Sequence, residues 1–187
     1  ELFGGYLYFL QAPNNTEFHN ECARRLLQLN YFDCLRANKS TLAWGVEGRF
    51  PFLDNDVLNF GMSVNPELKM YKGTEKWILR KAFDVKGENG RPIYLPDEIL
   101  WRQKEQFSDG VGYGWIDSLI ELADKTITDS ELIECDSKYS INTPKTKEAL
   151  LYRQIFEKFY PLREEAVKKW VPRTDWNSVG EDPSGRA

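Results

Sequence analysis

Lys104 stands in the densest run of chemistry-capable residues in this chain, Trp101-Arg102-Gln103-Lys104-Glu105-Gln106-Phe107-Ser108-Asp109-Gly110-Val111-Gly112-Tyr113-Gly114. Glycine at every second position from 110 to 114 lets backbone N–H groups approach a ligand closely, and Arg102 and Lys104 add fixed positive charge beside them. That chemistry suits a phosphate. On residue types alone, a G-x-G-x-G without a preceding strand more often marks a surface loop with an incidental lysine. Lys76, in Glu75-Lys76-Trp77-Ile78-Leu79-Arg80, falls on the solvent side of a helical stripe, where it either meets an anion or solubilises a helix start. Asp33 and Arg36 share a helical face and either pair with each other or contact the charged groups of a ligand. As an exposed i, i+3 pair they would contribute only about 0.2–0.5 kcal/mol. Glu47 and Arg49 flank Gly48, where a turn-stabilising ion pair is at least as natural as a ligand contact.

Helical periodicity supplies the elements that must position these groups. Phe18, Cys22, Leu26 and Leu29 recur at steps of four, four and three behind the capping residues Asn14 to Thr16. A second helix is predicted from about Tyr31 to Trp44, with Gly45 as its stop. Asp54 should cap a helix through Val57, Leu58 and Met62, and Thr74 one through Ile78, Leu79, Ala82 and Phe83. The stretch from Lys86 to Pro96 reads as a connection. Trp115, Ile116, Leu119, Leu122 and Ala123 mark another helix, and Thr143-Pro144 reads as the start of a last one. On that last helix Leu151, Ile155 and Phe159, widened by Tyr152 and Phe156, form the stripe expected to face the core. Gly4-Gly5 is read as a site of close helix packing. The resulting expectation is a mostly α chain, with a helical body over 1–162 and a polar, largely irregular tail over 163–187.

Composition narrows the function. A chain of 187 residues, 41% hydrophobic and 14% aromatic, can bury one substantial core. A net charge of -4 and a pI near 5.2 argue against nucleic-acid and anionic-membrane binding, so any phosphate contact must be local. Cys22, Cys34 and Cys135 form neither a disulfide framework nor a C-x-x-C metal motif, and the single His19 supports no histidine metal site. A reducing, cytoplasmic setting fits, and no apolar run reaches the roughly 18 residues of a membrane span.

WRQKEQFSDGVGYGWID, ELFGGYLYF, FDCLRANKST and AWGVEGRFPFLD together resemble the synthetase domain of glutamine-dependent asparagine synthetases. The resemblance runs nearly end to end and implies a piece from the C-terminal part of such an enzyme. Glu1 then matches the last residue of the family's GEGSDE motif, whose first glutamate is linked to catalysis. The N-terminal glutaminase domain and the SGG-x-DSS pyrophosphate loop are expected upstream. Gly48, Phe50 and Gly114 stand where the family usually carries Ala, Val and Ser; none of these departures removes a charge.

The resemblance implies a parent domain of doubly wound α/β type, an adenine nucleotide alpha-hydrolase-like fold of the ATP pyrophosphatase class. It implies ATP-dependent conversion of aspartate to β-aspartyl-AMP, then amidation by glutamine-derived ammonia to asparagine. Lys104 matches the family lysine that contacts the phosphates, and Lys76 a second lysine near pyrophosphate. Asp33, Arg36 and Glu1 are the expected substrate contacts. Magnesium is implied with ATP, and no metal ligand is assigned among these residues. Family analogy also suggests a homodimer. Without the upstream motifs this piece is expected to be inactive by itself. A β-lactam-synthetase-like adenylating enzyme and a non-catalytic helical scaffold or dimerisation module are the rival readings.

Overall fold

A computed structural model describes residues 1–104, 113–169 and 171–176. Gly110, Gly112 and their neighbours from Glu105 onward, with the closing residues 177–187, lie outside the described residues. The described chain is mostly helical and contains no β-strand, only the isolated antiparallel bridges Tyr71–Thr74 and Lys86–Pro92. It divides into two compact units, Glu1–Lys104 with Lys169–Ala187, and Glu105–Lys168.

In the first unit, α1 (Asn15–Gln28) begins where the Asn14 side chain accepts a hydrogen bond from the Glu17 amide at 2.9 Å. Phe18 and Cys22 face inward from α1, as their spacing predicts, and join Tyr6, Tyr8, Phe9 and Trp176 in the unit's apolar core. Gly4 makes that packing possible. Its φ is +62°, and a Cβ there would lie 2.5 Å from Phe18 Cζ, so any side chain would displace the ring. Trp176, in a short 3-10 turn at Thr174–Trp176, ties the tail to residues of this chain.

The next helix, α2 (Asp33–Leu42), follows a 3-10 turn at Leu29–Tyr31, and Gly45 adopts φ +69° beyond its end. It buries no residue at all. α3 (Asn55–Ser63) starts under the Asp54 cap and α4 (Pro66–Lys69) under Asn65. α5 (Trp77–Phe83) differs from expectation, because Thr74 is not its cap. Thr74 instead exchanges backbone hydrogen bonds with Tyr71 across Lys72 and Gly73, both at positive φ, the signature of a tight mirror-image turn. Lys76 becomes the N-cap residue. After the connection through Pro92, α6 (Asp97–Leu100) ends just before the Lys104 segment.

The second unit holds α7 (Tyr113–Thr126), α8 (Asp129–Lys138) and α9 (Lys147–Phe159), with α9 packed on both others. Its core is Ala123, Ile127, Cys135, Tyr139, Leu150 and Leu151. Thr128 and Glu131 form a reciprocal capping box at the start of α8. The last helix departs from its sequence reading twice. It begins at Thr146, whose hydroxyl accepts from Ala149 N at 3.1 Å, while the Thr143 hydroxyl is used on the Tyr139 carbonyl. Its buried face is Leu150, Leu151 and Arg153, with Ile155, Phe159 and Tyr152 exposed. Arg153 takes the inner position because its guanidinium lies 4.5 Å over the Tyr139 ring and donates to Glu157 and the Ile141 carbonyl.

Candidate functional site

Lys104 and Lys76, far apart in sequence, meet in the first unit beside Tyr6 and Glu1. The Lys104 ammonium sits 4.4 Å from the centroid of the buried Tyr6 ring, within cation–π range. The Tyr6 hydroxyl donates to a Glu1 carboxylate oxygen at 2.5 Å, so one aromatic residue touches both groups.

Lys76 does not point to solvent as its helical stripe predicts. As the N-cap of α5 it adopts φ +54° and ψ +31°, a left-handed conformation that costs a non-glycine residue about 1–2 kcal/mol. The departure swings its side chain across Gly5, where a Cβ would fall 2.8 Å from Lys76 Cε. At Gly5 the group in closest approach is thus the Lys76 side chain. Burial is the largest influence on the Lys76 ammonium and pushes its pKa below the usual lysine range. The nearby charges of Lys104 and Arg80 push the same way, against Glu75 and Glu1. The two ammonium groups repel each other in a partly desolvated corner. A bound phosphate would replace that repulsion with attraction to both.

Beneath the lysines lies a buried ion pair that spacing alone did not single out. Glu75 is 3% exposed and Arg80 9%. Arg80 Nη2 donates to Glu75 Oε1, Nε donates to the Glu75 carbonyl at 2.8 Å, and Nη1 donates to the Leu100 carbonyl at 2.5 Å. The Lys104 amide also donates to Glu75 Oε1, at 2.6 Å. In sequence Glu75 reads as one more charge at a soluble helix start, and only the Trp77-Ile78-Leu79 run between it and Arg80 hints that this turn is enclosed.

The other predicted site residues are placed differently. Asp33 and Arg36 pair at 2.9 Å with both side chains more than half exposed on α2. Burial, then the charges of Asp33 and Glu1, push the thiol pKa of the neighbouring Cys34 up. Glu47 and Arg49 pair at 3.1 Å on the surface. Among the described residues no group of three or more His, Cys, Asp or Glu side chains could hold a metal ion. A cleft of about 320 Å³ lined by Phe9, Asn14, Phe18, Pro66 and Met70 includes neither lysine. Among the described residues, no helix is long and apolar enough to cross a membrane.

Comparison with known proteins agrees with the resemblance read from the motifs. Residues 7–179 match the family described as Asparagine synthase. The chain is 53% identical over 195 residues to "Probable asparagine synthetase [glutamine-hydrolyzing]" of Dictyostelium discoideum, covering 100% of this chain and 34% of that protein. It is 52% identical over 192 residues to "Asparagine synthetase [glutamine-hydrolyzing] 1" of Saccharomyces cerevisiae, covering 100% and 33%. A third relative, "Probable asparagine synthetase [glutamine-hydrolyzing]" of Schizosaccharomyces pombe, is 51% identical over 189 residues, again with 100% and 34% covered. The chain thus spans about a third of the length of the curated relatives it matches.

Proposed function

The chain belongs to the asparagine synthase family, and on that premise we propose that it is part of an ATP-dependent ligase that makes asparagine with glutamine-derived nitrogen. In this reading a β-carboxylate oxygen of aspartate attacks the α-phosphorus of ATP. The bond to the bridging oxygen breaks, and pyrophosphate leaves. Ammonia then attacks the β-carbonyl carbon and expels AMP. The parent domain would be of the doubly wound α/β type, with an attached glutaminase domain supplying the ammonia.

The observation that carries the proposal is the Lys104 ammonium held over the buried Tyr6 ring, with Lys76 folded across the neighbouring Gly5 so that the two charges act on each other. Negative charge grows on the leaving phosphate oxygens in the first step. Ammonium groups held in place beforehand stabilise that charge more in the transition state than in the ground state. Lys104 and Lys76 are assigned to the phosphates, and Magnesium would accompany ATP without a ligand assigned from these residues. Glu1, Asp33 and Arg36 are assigned to the aspartate, whose ammonium and carboxylate groups need partners of both signs.

Aspartate-dependent exchange of pyrophosphate into ATP, measured on the full-length protein, tests the reading. Lys104→Ala is expected to lower exchange by about 10²–10³-fold with folding intact. Folded wild-type protein without any exchange would overturn it and favour a non-catalytic helical module.

A further inference from the structure

We propose that the buried Glu75–Arg80 pair is the positioning device for Lys104, fixing the backbone from which the lysine reaches the phosphates. The inference rests on the assignment of Lys104 proposed above. Glu75 Oε1 accepts from two donors, the Lys104 amide at 2.6 Å and Arg80 Nη2. Arg80 reaches the Leu100 carbonyl at 2.5 Å with another of its nitrogens. The segment 101–103 is therefore pinned at both ends, the carbonyl before it to Arg80 of α5 and the amide after it to Glu75, just ahead of that helix.

Two features separate this arrangement from ordinary structural pairing. A buried ion pair can generally be replaced by apolar side chains of similar volume with little loss of stability. An apolar pair cannot accept a hydrogen bond from the Lys104 amide, so its loss would free the one backbone position whose placement the chemistry needs. Lysine also carries four rotatable side-chain bonds, and a fixed Cα is the precondition for its ammonium to rest over the Tyr6 ring at 4.4 Å. Glu75 sets the root of the side chain and Tyr6 holds its tip.

The test combines a double-mutant comparison with backbone hydrogen exchange, on the full-length protein. Glu75→Ala is expected to lower kcat for pyrophosphate exchange by about 10²-fold, with a smaller change in the KM for ATP. Glu75→Gln keeps an acceptor at the same place and should restore most of the rate. In a Lys104→Ala background, Glu75→Ala should add almost nothing, because its effect passes through the lysine. An equal loss in both backgrounds would show that Glu75 supports the fold generally and would overturn the proposal. Exchange of the Lys104 amide with solvent should accelerate in Glu75→Ala, and an unchanged rate would overturn it as well. That second readout needs no catalysis, so a wild-type protein lacking pyrophosphate exchange would remove the enzymatic reading while the amide still decides the positioning. If Glu75→Ala does not fold, Arg80→Lys, which loses the fork to Leu100 and Glu75, carries the same double-mutant comparison.

Discussion

Among its described residues the first unit contains two buried carboxylate–guanidinium pairs built from the same chemistry and attached to different things. Glu21 and Arg25, on the inner face of α1, are 0% and 1% exposed and pair at 3.0 Å. Glu21 also accepts from the Tyr8 hydroxyl and from Arg24, and Arg25 donates to the Val171 carbonyl of the tail. Burial and the adjoining Glu21 carboxylate push the Tyr8 phenol up, while Arg25 opposes them. That network joins a helix, a turn and the tail, and its products are order and shape. The Glu75–Arg80 pair instead ends on the amide of a residue assigned to chemistry. The difference teaches that burial of an ion pair says little about its role until the groups at its far end are known.

Removing one partner of the α1 network should have the largest effect on stability. Glu21→Ala strands the Arg25 charge in the core and is expected to cost about 3–5 kcal/mol, read by denaturant unfolding, with kcat per folded molecule changing far less than for Glu75→Ala. Equal losses of kcat in the two variants would erase the contrast. Gly4→Ala probes the apolar part of the same face, where the new Cβ would lie 2.5 Å from Phe18 Cζ. A loss of about 1–3 kcal/mol is expected, partly recovered by Phe18→Leu, which relieves the clash but not the unfavourable φ.

Lys69 sharpens the comparison as a buried charge without a pair. It is 0% exposed, and its ammonium has no hydrogen-bond partner among the described residues. Burial lowers its pKa from the ordinary lysine value of 10.5, with the Cys22 thiolate form opposing. Between that lowered pKa and 10.5 the unfolded chain binds more protons than the folded one, so stability rises with pH through this window. Below it the cost of the buried charge is present in full. Lys69→Met should raise stability near neutral pH by about 1 kcal/mol and flatten the rise, leaving the slope that Lys76 contributes in the same direction. A fall in stability would mean that the rest of the polypeptide supplies an acceptor. The smallest effect belongs to the exposed pair on α2: Arg36→Ala should change stability by only about 0.2–0.5 kcal/mol, so a raised KM for aspartate in that variant would report substrate contact, not folding.

The helices were legible where local signals act without competition. The Asn14 and Asp54 caps, the inward Phe18 and Cys22 and the Gly45 end all follow from residues within a turn of one another. Legibility failed where a nearby group competed for the same atom. Thr143 gives its hydroxyl to the Tyr139 carbonyl and leaves the cap to Thr146, and Thr74 spends its backbone on a tight turn with Tyr71. On α9 the inward place goes to Arg153, which stacks on Tyr139 and donates to Glu157 and the Ile141 carbonyl, while Ile155 and Phe159 are exposed. Of the site, Lys104 and Lys76 could be singled out in sequence, but Tyr6, Glu75 and Arg80 could not, since each becomes informative only through a contact.

Read along the chain, the residues gave the long helices α1, α2, α7 and α9, the requirement that any phosphate contact be local, and the family. Those properties depend on the 3.6-residue period, on total charge and on motif strings, all readable along the chain. Tertiary structure alone decided which charges are buried and what they hold: Glu21 and Arg25 against a carbonyl 146 residues away from Arg25, and Glu75 against an amide 29 residues away. Desolvation strengthens a charge–dipole contact only once distant segments close over it. A carboxylate on an exposed helix and one beneath a lysine therefore look alike in sequence and act differently in the fold.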